Sequence, residues 1–511
     1  MNKGWMVVLA LLLLCGCAVG PDFKRPAAPA VGSYTAEPMT ATVAAAGGTG
    51  GQAQRFVRGG DIPAQWWRLF HSPALDALIT QALAHNPDLK ASQAALAAAR
   101  ETALAGRGAY YPSISAGFSA NRQQDPSGAL APVPSSNASL YNLMSAHVSV
   151  AYSPDVFGLT RRTVESLQAQ AQAVRYEMIA SDIALSANVA VATVQIASLR
   201  EQVEATQELA GVDAHMLSIM RYQLAKGYVG RLDVAAQETQ LAQVDASLAP
   251  LRTQLAQQRH RLAVLAGQFP SQAAADDFTL ASLQLPQDLP LSLPSALVAQ
   301  RPDVLQAQAN LHAASAQIGV AIANRLPNIT LSADTGSTAL ALNQLFKSGS
   351  GFWGVGAALA APVFQGGALM HQERAAKAAY TQAAEQYRST VLTAFENVAD
   401  TLVALQQDAQ ALKASTAAND AAKVTLDLSQ RQWKDGRAGY LAVLSAEQAA
   451  LQARVSLAQA QASRYADTVA LFQALGGGWW HRSDLAAGQD SPATTSPKPS
   501  QAAASRNTDE H

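Results

Sequence analysis

The stretch that decides the fold occurs twice in the chain. "NPDLKASQAALAAARETALAGRGAYYPSIS" runs from Asn86, and "RPDVLQAQANLHAASAQIGVAIANRLPNITLS" runs from Arg301. Each copy opens on a proline suited to a first helical turn, continues with helix-forming residues, reaches a second proline and then alternates apolar with small polar residues. Pro87 and Pro302 are 215 positions apart, as are Pro112 and Pro327. The two stretches therefore predict one helix-then-strand unit, built twice.

Later landmarks repeat in the same order. "SPDVFG" at Ser153 is matched by "APVFQGG" at Ala361, and "KGYVGRLDVAAQE" at Lys226 by "DGRAGYLAVLSAE" at Asp435. In the second match five residue pairs each lie 209 positions apart: Gly227/Gly436, Gly230/Gly439, Leu232/Leu441, Val234/Val443 and Glu238/Glu447. Solenoid repeats are only about 20–50 residues long. The longer period predicts a duplicated module of domain size and a pseudo-symmetric fold.

The N-terminal residues have the pattern of an export signal. One lysine precedes the ten-residue apolar run "WMVVLALLLL", which is too short to span a bilayer as a helix. The following "LCGC" resembles the cleavage signal of bacterial lipoproteins, although Cys15 is unusual at its position. We therefore predict a signal peptide over 1–16 and acylation, with palmitate as one of the chains, at Cys17. The alternative is an ordinary secretory cleavage site with two incidental cysteines.

Composition narrows the classes of protein to which the chain can belong. The net charge is −1, only 14% of residues are charged, and like charges form no long run, so nothing indicates a nucleic-acid partner. After the signal peptide no segment reaches 18 consecutive apolar residues, which predicts no transmembrane helix. We divide the chain into a signal peptide, an anchor with an extended segment, a first repeat, a linker, a second repeat and a disordered tail: 1–16, 17–72, 73–267, 268–300, 301–480 and 481–511.

Each repeat predicts one very long helix. Leu159–Lys226 contains no proline and one glycine, and Leu369–Asp435 is likewise free of helix breakers; at about 1.5 Å per residue each helix would be roughly 100 Å long. A seven-residue apolar period, which we call the apolar stripe, runs through both and predicts coiled-coil packing. Its members are Val189, Ile196, Val203, Ala210, Leu217 and Leu224, then Val398, Leu405, Leu412, Asn419, Leu426 and Trp433.

Each repeat also predicts two strands that form a β-hairpin, over 113–153 and 328–361. Apolar residues such as Phe118 and Val148 alternate with Ser119 and Ser149 in segments of about ten residues, which is typical of a transmembrane β-barrel wall. The alternative is the edge of a soluble β-sandwich. Because four strands cannot close a barrel and lipid tolerates no open edge, other chains must supply the rest. A dimer would reach the minimum of about eight strands, and a trimer would reach about twelve with room for a lumen.

The whole pattern resembles the TolC-like outer-membrane efflux proteins, in particular their lipidated NodT or OprM-like branch. The resemblance rests on "CAVGPDFKRP", "QWWRLFHSPALDALITQALAHNPDL", both Pro-Asp copies, both glycine-containing helix turns and the ending "ALGGGWW", and it covers about 17–480. It implies an α+β membrane protein: a homotrimer whose 12-stranded outer-membrane barrel, four strands from each chain, continues into a long periplasmic α-helical barrel.

The resemblance also implies partners and a location. Such a protein is the passive exit duct of a tripartite efflux pump for drugs or other small molecules. It contacts a periplasmic adaptor, an inner-membrane transporter of the resistance-nodulation-division type and outer-membrane lipid. The alternatives are a type I secretion channel or, in a different class, a periplasmic adaptor or tethering lipoprotein. Adaptors have a single helical hairpin, whereas this chain predicts two.

The helix turns are the candidate functional sites. We predict that they form the periplasmic aperture and the adaptor contact, with eight candidate residues: Gly227, Gly230, Asp233, Asp435, Gly436, Arg437, Gly439 and Tyr440. Two roles are open for Asp233: it caps a helix, or it makes a contact at the aperture. Many relatives carry an acidic residue where this chain has Ala438, so we hypothesise that Asp435–Arg437 pairing and Tyr440 packing hold the aperture closed.

No catalytic or metal-binding constellation stands out. The nine histidines are scattered, and His71 and His85, 14 positions apart, do not have metal-ligand spacing. We therefore expect no enzyme activity, no cofactor and no metal.

Overall fold

A computed structural model of the chain describes residues 18–45, 49–124, 140–272 and 278–486. The predicted signal peptide, the lipidation site Cys17 and residues 487–511 of the predicted tail lie outside the described residues. The first six residues of that tail, 481–486, are ordered. Arg482 donates a 2.6 Å hydrogen bond to the buried carboxylate of Asp182, and its bidentate fork also binds Asp484.

The elements follow the repeat. The first repeat contains α1 (Pro73–His85), α2 (Pro87–Arg107), β2 (Ser113–Gln124), β3 (Leu140–Tyr152), α3 (Leu159–Ala225) and α4 (Arg231–Leu265). The second contains α5 (Pro294–Gln300), α6 (Pro302–Ala323), β5 (Asn328–Ala339), β6 (Gly351–Ala360), α7 (Ala368–Lys434) and α8 (Tyr440–Ala474). Outside them lie β1 (Arg55–Arg58), β4 (Asp288–Leu291), α9 (Ser483–Ala486) and 3-10 helices at Trp66–Phe70, Gly108–Tyr110, Pro270–Gln272, Leu280–Ser282, Leu342–Gln344 and Trp479–His481.

The two copies of the opening stretch start their helices differently. Asn86 caps α2, because its side-chain oxygen accepts a 3.0 Å hydrogen bond from the Leu89 amide. At the equivalent position Arg301 makes no side-chain cap. Its buried guanidinium donates instead to the Ala474 carbonyl at 2.9 Å, near the end of α8, and pairs with Asp303. The second copy therefore exchanges a local cap for a long-range tie.

The predicted long helices are confirmed. Helices α3 and α7 both have 67 residues and α4 and α8 both have 35. Helix α7 starts 209 positions after α3, and α8 starts 209 positions after α4. The apolar stripe is buried along most of its length, with Val189, Val398 and Leu405 fully inside, and its members nearest the helix turns are half-buried. Full burial of such a side chain contributes about 1.5–3 kcal/mol.

Helix α3 is the structural centre of the chain, since it contacts α1, α2, α4, α6 and α8. It is also long and apolar enough to cross a membrane by length and composition alone, with a mean hydropathy of 1.5 in its most apolar window. However, 67% of that window is buried inside the protein. Packing against the surrounding helices explains its apolar character.

The four predicted strands form one antiparallel sheet in the order β2-β3-β5-β6. Its register places the predicted apolar positions in shared rows: Ala116 pairs with Val148, and Val150 with Ala333, which pairs in turn with Val355. The predicted apolar residues of all four strands therefore share one face, and several are largely exposed on the single chain, including Phe118 at 62% and Trp353 at 79%. An apolar sheet face of this kind is suited to hydrocarbon.

We expect the two faces of the sheet to meet different solvents. Cysteine introduced at Phe118 or Val148 should react with lipid-phase thiol probes, and cysteine at Ser119 or Ser149 with aqueous probes, because neighbouring residues on a strand point to opposite faces. Labelling of the full chain in its membrane measures this. The opposite pattern would show that the assignment of the faces is wrong.

Candidate functional site at the helix turns

Two short turns, one in each repeat, join the long helices to their partners. Gly227 follows α3 with φ 76°, and Gly436 follows α7 with φ 69°, both in the left-handed region that favours glycine. The next amides close the helix ends: Tyr228 donates to the Gln223 carbonyl at 2.9 Å, and Arg437 to the Gln432 carbonyl at 2.8 Å. These are Schellman-type ends. The repeated glycine thus serves the backbone in both turns.

The second glycine of each turn has another role. Gly230 and Gly439 precede α4 and α8 with φ of −79° and −73°, an extended conformation open to other residues. Asp233 completes the first turn, because its carboxylate accepts a 3.2 Å hydrogen bond from the Gly230 amide. Of the two roles left open for Asp233, this geometry provides the helix cap. The equivalent position in the second repeat is Ala442, which cannot cap a helix.

Tyr440 lies inside the chain. It is the first residue of α8, it is buried, and its ring packs on Trp433 with centroids 5.2 Å apart. Its hydroxyl donates a 2.7 Å hydrogen bond to the side-chain oxygen of Gln237 on α4. It belongs to an apolar group that we call the tip cluster: Leu217, Met220, Val234, Tyr440, Val443 and Leu444. Tyr440 therefore ties the second hairpin to the first within one chain.

The charged residues of the second turn point to solvent. Asp435 and Arg437 are exposed, and within the described part of one chain neither forms an ion pair. Large apolar side chains are exposed beside them, with Tyr228 at 79%, Leu232 at 76% and Leu441 at 58%. The turns thus combine exposed charge with exposed apolar surface.

Sequence reasoning missed a buried polar group behind the turns. Asp213 of α3 and Glu447 of α8 are 0% and 3% exposed, and the side-chain amide of Gln237 donates to an Asp213 carboxylate oxygen at 3.1 Å. Burial, reinforced by the charge of Asp213, raises the pKa of Glu447 to about 7. Burial also raises the pKa of Asp213. The sequence did carry one sign of this buried group. Glu238 and Glu447 occupy equivalent positions in the two repeats, but the position of Arg221, which pairs with Glu238, is occupied by Gln430 in the second repeat.

Over the described ranges, no three histidine, cysteine, aspartate or glutamate side chains cluster in a way that could hold a metal ion. The polar groups of the site are arranged to link helices. This arrangement suits a mechanical role at the turns.

Comparison with known proteins identifies the family of the chain. The family model described as outer membrane efflux protein matches residues 78–268 and 293–477. The chain belongs to this family. Among curated relatives it is 30% identical over 451 residues to the pyoverdine export outer membrane protein OpmQ of Pseudomonas putida, covering 86% of this chain and 94% of the relative. It is 29% identical over 496 residues to the toluene efflux pump outer membrane protein TtgC of Pseudomonas putida, covering 96% and 98%.

Solved structures agree with the family. The outer-membrane channel OprN superimposes with a TM-score of 0.78 at 26% identity, covering 91% of this chain and all of OprN. The predicted TolC-like resemblance is confirmed, as is the fold of membrane strands continued by long helices. This outer membrane efflux protein is the outer-membrane exit duct of an efflux pump, with its helices in the periplasm. Family membership leaves no place for the adaptor alternative.

Proposed function

We propose that the chain works as a homotrimeric passive duct that releases small molecules across the outer membrane and performs no catalysis. The observation that carries this proposal is the four-stranded sheet, in which β2 and β6 each pair on one side only among the described residues. Hydrocarbon cannot satisfy the free backbone groups of those edges, so β6 of one copy must pair with β2 of the next. Three copies supply about twelve strands, which leave a lumen, whereas about eight would be filled by side chains.

The helix turns are the proposed contact for a periplasmic adaptor, which connects the duct to an inner-membrane transporter of the resistance-nodulation-division type. In a trimer six turns gather at the end of the helical tube, farthest from the sheet. The exposed Tyr228, Leu232 and Leu441 give this end the apolar and aromatic surface that protein partners use. The six-part division of the chain is also part of this proposal, with the first six residues of the tail ordered.

Small molecules are the proposed cargo, and the names of the relatives support this choice. One relative is named for pyoverdine export and another for toluene efflux. The competing proposal is a type I secretion channel, whose cargo is an unfolded protein. Export of small molecules and export of a protein both need an open lumen. The cargo is therefore set by the pump and the adaptor that the duct joins.

A deletion strain separates the two cargoes. Cells without the chain should accumulate a fluorescent apolar dye to a level several-fold above the parent, because the exit through the outer membrane is lost. Their secreted proteins should stay unchanged. Dye fluorescence in cells and protein in the medium are measured together, with the chain restored on a plasmid as control. Unchanged dye with loss of a secreted protein would favour the secretion channel.

Lipid attachment at Cys17 is also proposed, and the described residues beside it support it. The Val19 amide donates a 3.1 Å hydrogen bond to the Phe157 carbonyl, and Arg162 donates to the Val19 carbonyl at 3.0 Å. Gly158 lies so close that a β-carbon there would come within 2.6 Å of Ala18. Since β3 ends at Tyr152, residue 18 is held next to the base of the membrane sheet. An acyl chain on the preceding residue would enter the membrane leaflet that surrounds this base.

Intact-mass measurement of the purified protein tests the anchor. We expect a mature chain that begins at Cys17 and carries added acyl mass, because the N-terminal pattern is that of a lipoprotein signal. Cys17→Ala behind an ordinary signal peptide should lose the added mass and still assemble, since the sheet and helices do not depend on the acyl group. An unmodified N-terminus at another residue would contradict the proposal.

Closure of the aperture is proposed to involve Asp435–Arg437 pairing between copies, with Tyr440 holding each turn in place. The pairing must cross between chains, because within one chain both residues are exposed without an ion pair in the described part. Three-fold symmetry brings like charges together, so the two signs must alternate around the ring. Exposed pairs contribute only about 0–1 kcal/mol each. Such a weak closure suits a duct that a partner must open.

Charge reversal at Arg437 tests the closure. Arg437→Glu should raise single-channel conductance in planar bilayers and sensitise cells to vancomycin, because it replaces attraction to Asp435 by repulsion. Lys413→Glu is the matched control: it makes the same charge change at an exposed position 24 residues earlier on α7. If Arg437→Glu channels remain as closed as the unaltered ones, the closure lies elsewhere.

A further inference from the structure

Two glutamates at equivalent repeat positions have opposite surroundings. Glu238 on α4 is exposed and accepts a 2.7 Å hydrogen bond from the Arg221 guanidinium on α3. Its counterpart Glu447 on α8 is buried, and the residue at the position of Arg221 is Gln430 on α7. The second repeat has therefore kept the acid, buried it and replaced its cationic partner by a neutral amide.

A second carboxyl group takes the place of the missing cation. Asp213 on α3 is fully buried, and its carboxyl group lies close enough to that of Glu447 for each group to shift the pKa of the other. One oxygen of each, Oδ2 of Asp213 and Oε2 of Glu447, has no hydrogen-bond donor among the described residues. Two buried carboxylates in contact repel each other and leave acceptors without donors, which is costly. One proton between them supplies the missing donor and removes one charge.

Among the described residues, the other groups that act on the pair are neutral or acidic. Helix α4 contributes the amides of Gln237 and Gln240 and the carboxylate of Asp245, whose charge also acts on Asp213. Helix α7 contributes the amide of Gln430, which lies close enough to oppose the rise in the pKa of Glu447. Helix α8 contributes the phenol of Tyr440, a weak acid whose pKa burial raises. This environment favours a bound proton.

The pair spans the two hairpins close to their turns. Asp213 lies 12 residues before the end of α3, and Glu447 lies 7 residues after the start of α8, or about 18 Å and 11 Å along the helices. The second turn cannot move away from the first hairpin without separating the two carboxyl groups. We propose that Asp213 and Glu447 form a buried proton-binding site that locks the two hairpins of one chain together and releases them when the proton leaves.

The sign of the pH dependence follows from burial. The pKa of Glu447 is raised from its ordinary 4.5 to about 7, first by burial and then by the charge of Asp213. The packed junction therefore prefers the protonated form. Its stabilisation is fully present below pH 4.5 and is lost as the pH rises through about 7. Because the two carboxyls are in contact, the midpoint belongs to the pair. An acidified periplasm should hold the turns together, and a neutral or alkaline one should loosen them.

An infrared titration tests the proton site without reference to transport. Full-length protein in lipid nanodiscs is titrated from pH 5 to 9 while the carbonyl band of protonated carboxyl groups is recorded. The difference between the unaltered protein and Glu447→Gln should contain one carboxyl group that loses its proton with a midpoint near pH 7. Glu238→Gln, at the equivalent exposed position, should leave this component in place. Identical titrations of the unaltered and Glu447→Gln proteins would overturn the site.

Channel recordings test the consequence, which rests on the proposed duct. Open probability should be several-fold higher at pH 8 than at pH 6 in the unaltered protein and in Glu238→Gln. It should be independent of pH in Glu447→Gln, whose amide keeps a hydrogen-bond donor toward Asp213. Gln430→Arg should also flatten the response, because it restores the cation of the first repeat. Equal pH dependence in all four proteins would overturn the lock. Absence of current in all four proteins, with the infrared midpoint present, would count against the duct and leave the proton site standing.

Discussion

The inability of hydrocarbon to hydrogen-bond a free strand edge governs this structure. One chain provides four strands with apolar side chains on a shared face and two edges, β2 and β6, that pair on one side only within the described part of the chain. In a membrane those edges must be covered by further copies. Each membrane hairpin leads within a few residues into a 67-residue helix, from Tyr152 to Leu159 and from Ala360 to Ala368. The closing of the sheet therefore also gathers the helices into a tube.

Because the unit is duplicated, each chain contributes two pairs of long helices to that tube. The long helices of the two repeats have equal lengths and a constant offset, so the turns fall at the same height. The departures from symmetry are chemically specific. Asn86 caps its helix, whereas Arg301 ties α6 to the end of α8. Glu238 faces solvent and a guanidinium, whereas Glu447 faces the interior and a second carboxyl group. The two repeats share a backbone fold and differ in the side-chain interactions that stabilise it.

The turns balance two kinds of interaction. The tip cluster and the Tyr440–Gln237 hydrogen bond join the hairpins inside each chain. In the proposed closure the exposed charges Asp435 and Arg437 pair between chains, and each such pair contributes about 0–1 kcal/mol. The proposed closure, which a partner would open, needs contacts of this modest strength. The carboxyl pair behind the turns adds a contact whose strength depends on the bound proton.

The sequence by itself determined the architecture, because periodicity is local. The seven-residue stripe through Val398 and Leu405, the alternation around Phe118 and Val148 and the repeat offset predict the helices, the strand faces and the two turns. It also identified Gly227 and Gly436, whose left-handed backbone conformation a turn requires. Only the tertiary structure decided that Tyr440 is buried, that Asp233 caps a helix and that Glu447 meets Asp213. Those facts depend on which face of α8 packs against α3, and residues 234 positions apart in the chain carry no local pattern that records it.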